Sequence, residues 1–134
     1  MAIAVAAFVG LWLGGVLLLS YASGWRTLAA QYRSDLPFTG RTWRLRSARL
    51  RGGMVRYNGM LTVGVNPAGL YIAVLPPLRF GHAPLFIPWS DVTVTTERPV
   101  FGSFLAFHFS RVPSVPVWFF DRFGRELLET ARVR

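Results

Sequence analysis

Apolar residues fill the start of this chain with no charge among them. Ile3, Val5, Phe8, Val9, Leu11, Trp12, Leu13, Val16, Leu17, Leu18 and Leu19 run through residues 2–20, and no charged side chain precedes Arg26. As a helix rising about 1.5 Å per residue, such a run is long enough to cross a hydrocarbon core of about 30 Å. It also lacks the polar stripe of a helix lying on a soluble core. The pattern predicts a transmembrane helix over residues 1–22, with Gly10 and Gly14 as a small-xxx-small pair against which a neighbouring helix packs. A cleaved secretory signal is the rival reading, because Ser20-Tyr21-Ala22 places small residues where a peptidase inspects them. The run is longer than the roughly 7 to 15 apolar residues of such a signal and has no basic flank before it.

The period then changes twice. Trp25, Leu28, Ala29 and Tyr32 stand at i, i+3, i+4 and i+7 with Arg26 and Arg33 at the margins, the stripe of a short amphipathic helix. With Trp and Tyr favouring the headgroup zone, residues 23–39 read as a juxtamembrane interfacial helix and linker, broken at Asp35-Leu36-Pro37. From Arg41 the chain alternates in short β-type runs, and strands are predicted over 41–50, 60–65, 70–75, 85–89, 92–97, 104–109 and 115–120. Asn66-Pro67-Ala68-Gly69 makes a tight turn, with Pro at its second position and Gly supplying a positive φ. Gly52-Gly53 and Asn58-Gly59 compete for the turn between the first two strands. Pro76 and Pro77 remove ladder donors and mark a loop. Residues 121–133 form a helix with Asp121 as N-cap, an apolar row of Phe123, Leu127 and Ala131, and Arg122–Glu126 and Arg125–Glu129 pairs outside. Beyond residue 22 about 110 residues remain, enough for one small domain.

Charge adds an asymmetry to this picture. All fifteen basic residues are arginine, against six carboxylates, for a formal +9. Residues 26–56 hold eight of these arginines and one aspartate, or +7 of that total. By the positive-inside rule this places the N-terminus outside and the C-terminal domain in the cytoplasm of a single-pass inner-membrane protein. Alternation from Trp43 and Leu45 inward leaves Arg44 and Arg46 on one exposed face. Arg49 and Arg51 share the other, unless a bulge falls near Ser47-Ala48. The residues expected to contact lipid or a partner are therefore Trp25, Arg26, Arg33, Arg44, Arg46, Arg49 and Arg51, each basic residue near an anionic surface adding about 1 kcal/mol. A solvated basic face that only sets topology is the plainer reading of the same cluster.

Catalytic chemistry has little to work with. Two histidines, six carboxylates and no cysteine show no metal-ligand or triad spacing, and Gly52-Gly53 lacks the remainder of a phosphate loop. His82, in a Gly/Pro loop, reads as a loop hydrogen-bonder, and His108 should point opposite Phe107 and Phe109. Trp118, Phe119 and Phe120 cannot all face one side of a strand. The expectation is a non-enzyme without cofactor, metal, small-molecule substrate or nucleic-acid partner.

Seven short strands and a terminal helix resemble the pleckstrin-homology-like superfold, a seven-stranded antiparallel barrel or sandwich with a capping helix. Pro84-Leu85-Phe86-Ile87-Pro88-Trp89-Ser90-Asp91-Val92 is similar to a strand-turn-strand phrase of bacterial PH-like (GRAM-like) domains. The stretch from Tyr57 through Gly69-Leu70-Tyr71 to Trp89 resembles small single-helix bacterial membrane proteins of unassigned function. The resemblance implies a mainly β PH-like domain over 40–134 and an interaction role, and nothing about chemistry. The expected function is that of a small accessory subunit whose domain binds other subunits of a membrane protein complex of respiratory or photosynthetic type. A free-standing module for anionic lipid headgroups or membrane tethering is the alternative.

Overall fold

The computed structural model describes residues 1–50, 55–75, 79, 82–100 and 102–133, with the side chains of all but 19–23 and 133. Among the described residues two helices, α1 (Ala2–Ser23) and α2 (Trp25–Tyr32), precede seven strands: β1 (Arg41–Leu50), β2 (Val55–Val65), β3 (Gly69–Val74), β4 (Leu85–Pro88), β5 (Val92–Glu97), β6 (Phe104–Phe109) and β7 (Val112–Phe120). A last helix, α3 (Asp121–Val133), follows. All strand pairings are antiparallel, in the order β4-β3-β2-β1-β7-β6-β5. The mainly β domain with seven strands and a terminal helix is thus as the alternation predicts.

The bounds differ where tertiary neighbours decide them. Asn58 and Gly59 lie within β2, Gly59 at φ 65° with its N–H donating to Ser47 Oγ at 2.7 Å. Leu50 pairs with Val55, the last pair of β1 with β2, and Gly52-Gly53 lie outside the described residues. β7 starts at Val112 despite Pro113 and Pro116, because it pairs with β1 only at Arg49↔Trp118 and Leu50↔Val117. The prolines fall where β7 has one strand neighbour, so no central ladder loses a donor. In the turn before β3, Gly69 does not adopt the expected positive φ. Asn66 closes that turn instead, its Oδ1 accepting from the Ala68 and Gly69 N–H groups at 2.9 Å. Gly69 is required for space, since a Cβ there would stand 2.7 Å from Phe86 Cζ.

One apolar cluster unites the domain: Trp43 and Leu50 of β1, Tyr57, Leu61 and Val63 of β2, Leu70 and Ile72 of β3, Leu85 and Ile87 of β4, Phe107 and Phe109 of β6, Val117 and Phe119 of β7. Phe123 and Leu127 bring α3 into it, as the apolar row predicts. The polar side of α3 is wired differently from expectation. Arg125 turns back to Asp121 at 3.0 Å, and Glu126 accepts from Trp43 Nε1 at 2.9 Å. Neither the Arg122–Glu126 nor the Arg125–Glu129 pair forms among the described residues, because Asp121 begins the helix with its carboxylate one turn before Arg125.

The N-terminal expectations are overturned. Among the described residues, no helix is long and apolar enough to cross a membrane. The transmembrane helix over 1–22 and the single-pass inner-membrane placement are not supported. The N-out, C-cytoplasmic orientation goes with them, since loop charge orients only a segment that spans. The interfacial reading of residues 23–33 also changes. Trp25, Leu28 and Tyr32 are buried in the same core as the strands, and α2 packs on β4 and β7. The periodicity was that of a helix docked on a protein, so α2 belongs to the β domain. Gly24, at φ 88°, joins α1 to α2 and lies so close to β7 that a Cβ would stand 2.8 Å from the Val115 methyls, a left-handed position that favours glycine.

Candidate functional site

α2 docks so that its apolar face meets β4 and its arginines turn outward. Three contacts hold it there: Ser34 N–H donates to Pro84 O at 2.9 Å, Arg33 bridges to Leu85, and Trp25 Nε1 donates to Ala83 O at 2.8 Å. The segment before β4 thereby becomes the second wall of a cleft of about 750 Å³ lined by Arg26 and Ala29 of α2, by Arg33 just past its end, and by Arg79, His82 and Pro84 opposite. Arg26, Arg33 and Arg79 are exposed. Arg79 Nε donates to Val74 O at 3.0 Å, which fixes the root of its guanidinium on the end of β3. No carboxylate is among the described lining residues. Asp35 reaches Arg33 Nε at 3.2 Å with both side chains largely exposed, an arrangement worth about 0–1 kcal/mol that leaves the cleft cationic.

Beneath the arginines lies a buried polar pair. His82 is 1% exposed, and its Nε2 shares a 2.9 Å hydrogen bond with the Tyr57 hydroxyl. Trp25 packs against both rings, at centroid distances of 5.3 Å to His82 and 5.5 Å to Tyr57. His82 N–H donates to Arg79 O at 2.8 Å, so the buried imidazole also anchors the backbone that carries Arg79. His82 is the loop hydrogen-bonder that its sequence context suggests. Among the described residues, no three His, Cys, Asp or Glu side chains gather as a metal site would require.

The expected site residues are dispersed. Arg26 and Arg33 meet in the cleft, one helical repeat of seven apart. Arg44 is exposed on β1, Arg49 lies with its Cζ 5.6 Å from the Phe104 ring centroid, and Arg51 is outside the described residues. Arg46 is turned inward rather than out, its Cζ 4.8 Å from the Phe123 ring centroid. Trp25, expected at a lipid surface, is 1% exposed and holds the cleft together from inside. Gly10 and Gly14 have no atom within 4 Å of where a Cβ would stand, so the described chain does not itself use them for packing. His108 points away from buried Phe107 and Phe109 as expected, with Nε2 2.8 Å from Thr95 Oγ1. Sequence reasoning missed Arg79, which follows Pro76-Pro77-Leu78 in the chain. The only signal was its position three residues before His82.

At the far end of α2, Tyr32 ties the helix to the β4–β5 corner. Its hydroxyl lies 3.1 Å from Asp91 Oδ2 and accepts from the Arg111 N–H at 3.1 Å, while Arg111 Nε pairs with Asp91 at 3.4 Å. Burial raises the Tyr32 pKa above its ordinary 10.0; the Arg111 N–H pulls against this, and the Asp91 carboxylate adds to the rise by hydrogen bond and charge. A raised folded-state pKa means the folded chain holds the proton more tightly than the unfolded one. The resulting stability is present below pH 10 and is lost as pH rises through the folded value. Denaturant midpoints followed upward from pH 10 should fall more steeply for the native chain than for Tyr32→Phe. Parallel curves would contradict this linkage.

The chain matches no protein family, no curated protein and no solved structure.

Proposed function

We propose that this chain is a non-catalytic docking domain that holds an acidic segment of a protein partner in the α2 cleft, as an accessory component of a larger assembly. The observation that carries the reading is the convergence of Arg26, Arg33 and Arg79, from two separate segments, on one concavity with no carboxylate among its described lining residues. Guanidinium groups present forked donors that suit carboxylates. The apolar groups of Leu17, Ala29, Ala30 and Pro84 between them suit the hydrocarbon of a peptide better than a compact inorganic anion. The PH-like resemblance, with its interaction role, belongs to the same proposal; the seven antiparallel strands and terminal helix support it.

The test is fluorescence anisotropy of the full chain with a labelled oligoglutamate peptide. Binding should weaken as salt rises, and Arg26→Gln with Arg79→Gln should lower affinity at least about tenfold, or about 1.4 kcal/mol. Arg132→Gln, at the end of α3, should leave it unchanged. Equal affinity in the double variant would overturn the proposal. So would binding to anionic lipid vesicles with none to the peptide, which would assign the cleft to headgroups instead.

A further inference from the structure

Strict alternation along β1 turns Leu45 inward with Trp43 and Arg46 outward. The structure does the opposite. Trp43 pairs with Val63, the next partner pair is Arg46 with Leu61, and the register slips again before Ala48. Between them Leu45 adopts φ 57°, the only non-glycine residue at positive φ among those described, and its side chain is 64% exposed. Backbone held in that region by a leucine is strained, and bulges of this kind re-aim side chains. Here the result is an exposed leucine beside an inward arginine.

That arginine is incompletely satisfied. Arg46 Nε is buried with no hydrogen-bond partner, while its guanidinium lies on the Phe123 ring. A buried N–H donor without an acceptor is costly, and folding does not supply the acceptor. The site opens where β1 and β7 diverge. Their pairing covers only Arg49 and Leu50 among the described residues, and α3 lies across the gap through Trp43, Phe123 and Glu126. A groove of about 300 Å³ results, with Leu45 and half-exposed Phe120 on its rim, Phe123 inside, and Arg46 and Arg122 supplying positive charge. Glu126 also lines it, but its carboxylate accepts from Trp43 Nε1 at 2.9 Å.

We infer that this groove is a second docking site, which takes an extended peptide segment carrying a bulky apolar side chain next to a carboxylate. The apolar side chain packs between Leu45 and Phe120, and the carboxylate accepts from Arg46 and Arg122. Charge complementarity selects an acidic segment. The volume, at the lower end of ligand pockets, admits a few side chains rather than a folded element. This groove shares no lining residue with the α2 cleft, so either site can fail without the other.

The experiment is selection of a randomised displayed peptide library on the immobilised full chain, followed by affinity measurement of the enriched peptides. Enrichment of an acidic residue beside Phe, Leu or Met is expected. Those peptides should bind at least tenfold more weakly to Arg46→Gln and to Phe120→Ser, and with native affinity to Arg132→Gln. Leu45→Gly relieves the positive φ and keeps the fold while removing the rim, and it should also weaken binding. Enrichment with no acidic-apolar pattern would overturn the inference. Equal affinity for Phe120→Ser and Leu45→Gly, both altered at exposed positions, would do the same.

Discussion

Replacing Trp25 with alanine should lower the stability of the whole domain by about 3–5 kcal/mol, the usual cost of deleting a large buried aromatic side chain. Trp25 is 1% exposed, donates to Ala83 O, and packs against Tyr57 and His82. Its loss would leave the Ala83 carbonyl without that donor, a cavity between α2 and β2, and the His82–Tyr57 pair without its apolar cover. The cleft should suffer with it, because the indole hydrogen bond to Ala83 O is one of the three contacts that hold α2 against the residues before β4. Equilibrium unfolding in urea, with oligoglutamate binding measured on the same samples, checks both consequences. Leaving stability within 1 kcal/mol of the native chain would show that α2 is a detachable surface helix.

Phe119→Ala should cost a similar amount, about 3–5 kcal/mol, while Phe120→Ala one residue later should cost about 1 kcal/mol or less. Phe119 is fully buried, edge-on to Phe107 at 5.3 Å and to Phe123 at 5.6 Å, and so joins β6, β7 and α3. Phe120 is half exposed, with Phe104 as its ring neighbour at 4.9 Å. The contrast between adjacent phenylalanines measures the strand alternation directly. Urea midpoints for the two variants decide it; equal losses would mean that α3 does not seal the core through Phe119.

Much of this architecture is legible in the chain because local chemistry and tertiary context agree there. β1, β5, β6 and α3 end at the predicted residues, since alternation, turn residues and the apolar row of α3 all point to one partner, the core. Legibility fails where a neighbour overrides the pattern. The stripe Trp25, Leu28, Tyr32 is the same whether a helix lies on lipid or on β4 and β7, and only the fold says which. Leu45 and Arg46 exchange sides because a bulge adds one residue to β1 between Trp43 and Arg46, and no feature of Trp43-Arg44-Leu45-Arg46 itself announces it. Asp121, Arg125 and Glu126 take partners that helical spacing alone does not choose, because Trp43 competes for Glu126.

The candidate site divides in the same way. Amino-acid order alone determines that the arginines concentrate between residues 26 and 56, that the strands are seven, and that the terminal helix carries one apolar row, since these depend on composition and on periods of 2 and 3.6 residues. Only the tertiary structure decides which arginines act together. Arg26 and Arg33 meet Arg79 from a distant loop because Trp25 and His82 fasten that loop to α2, whereas Arg44, Arg46 and Arg49 separate along a bulged strand. Charge density is a property of the chain, but a binding site is a convergence of side chains in space, and here buried aromatic contacts set that convergence.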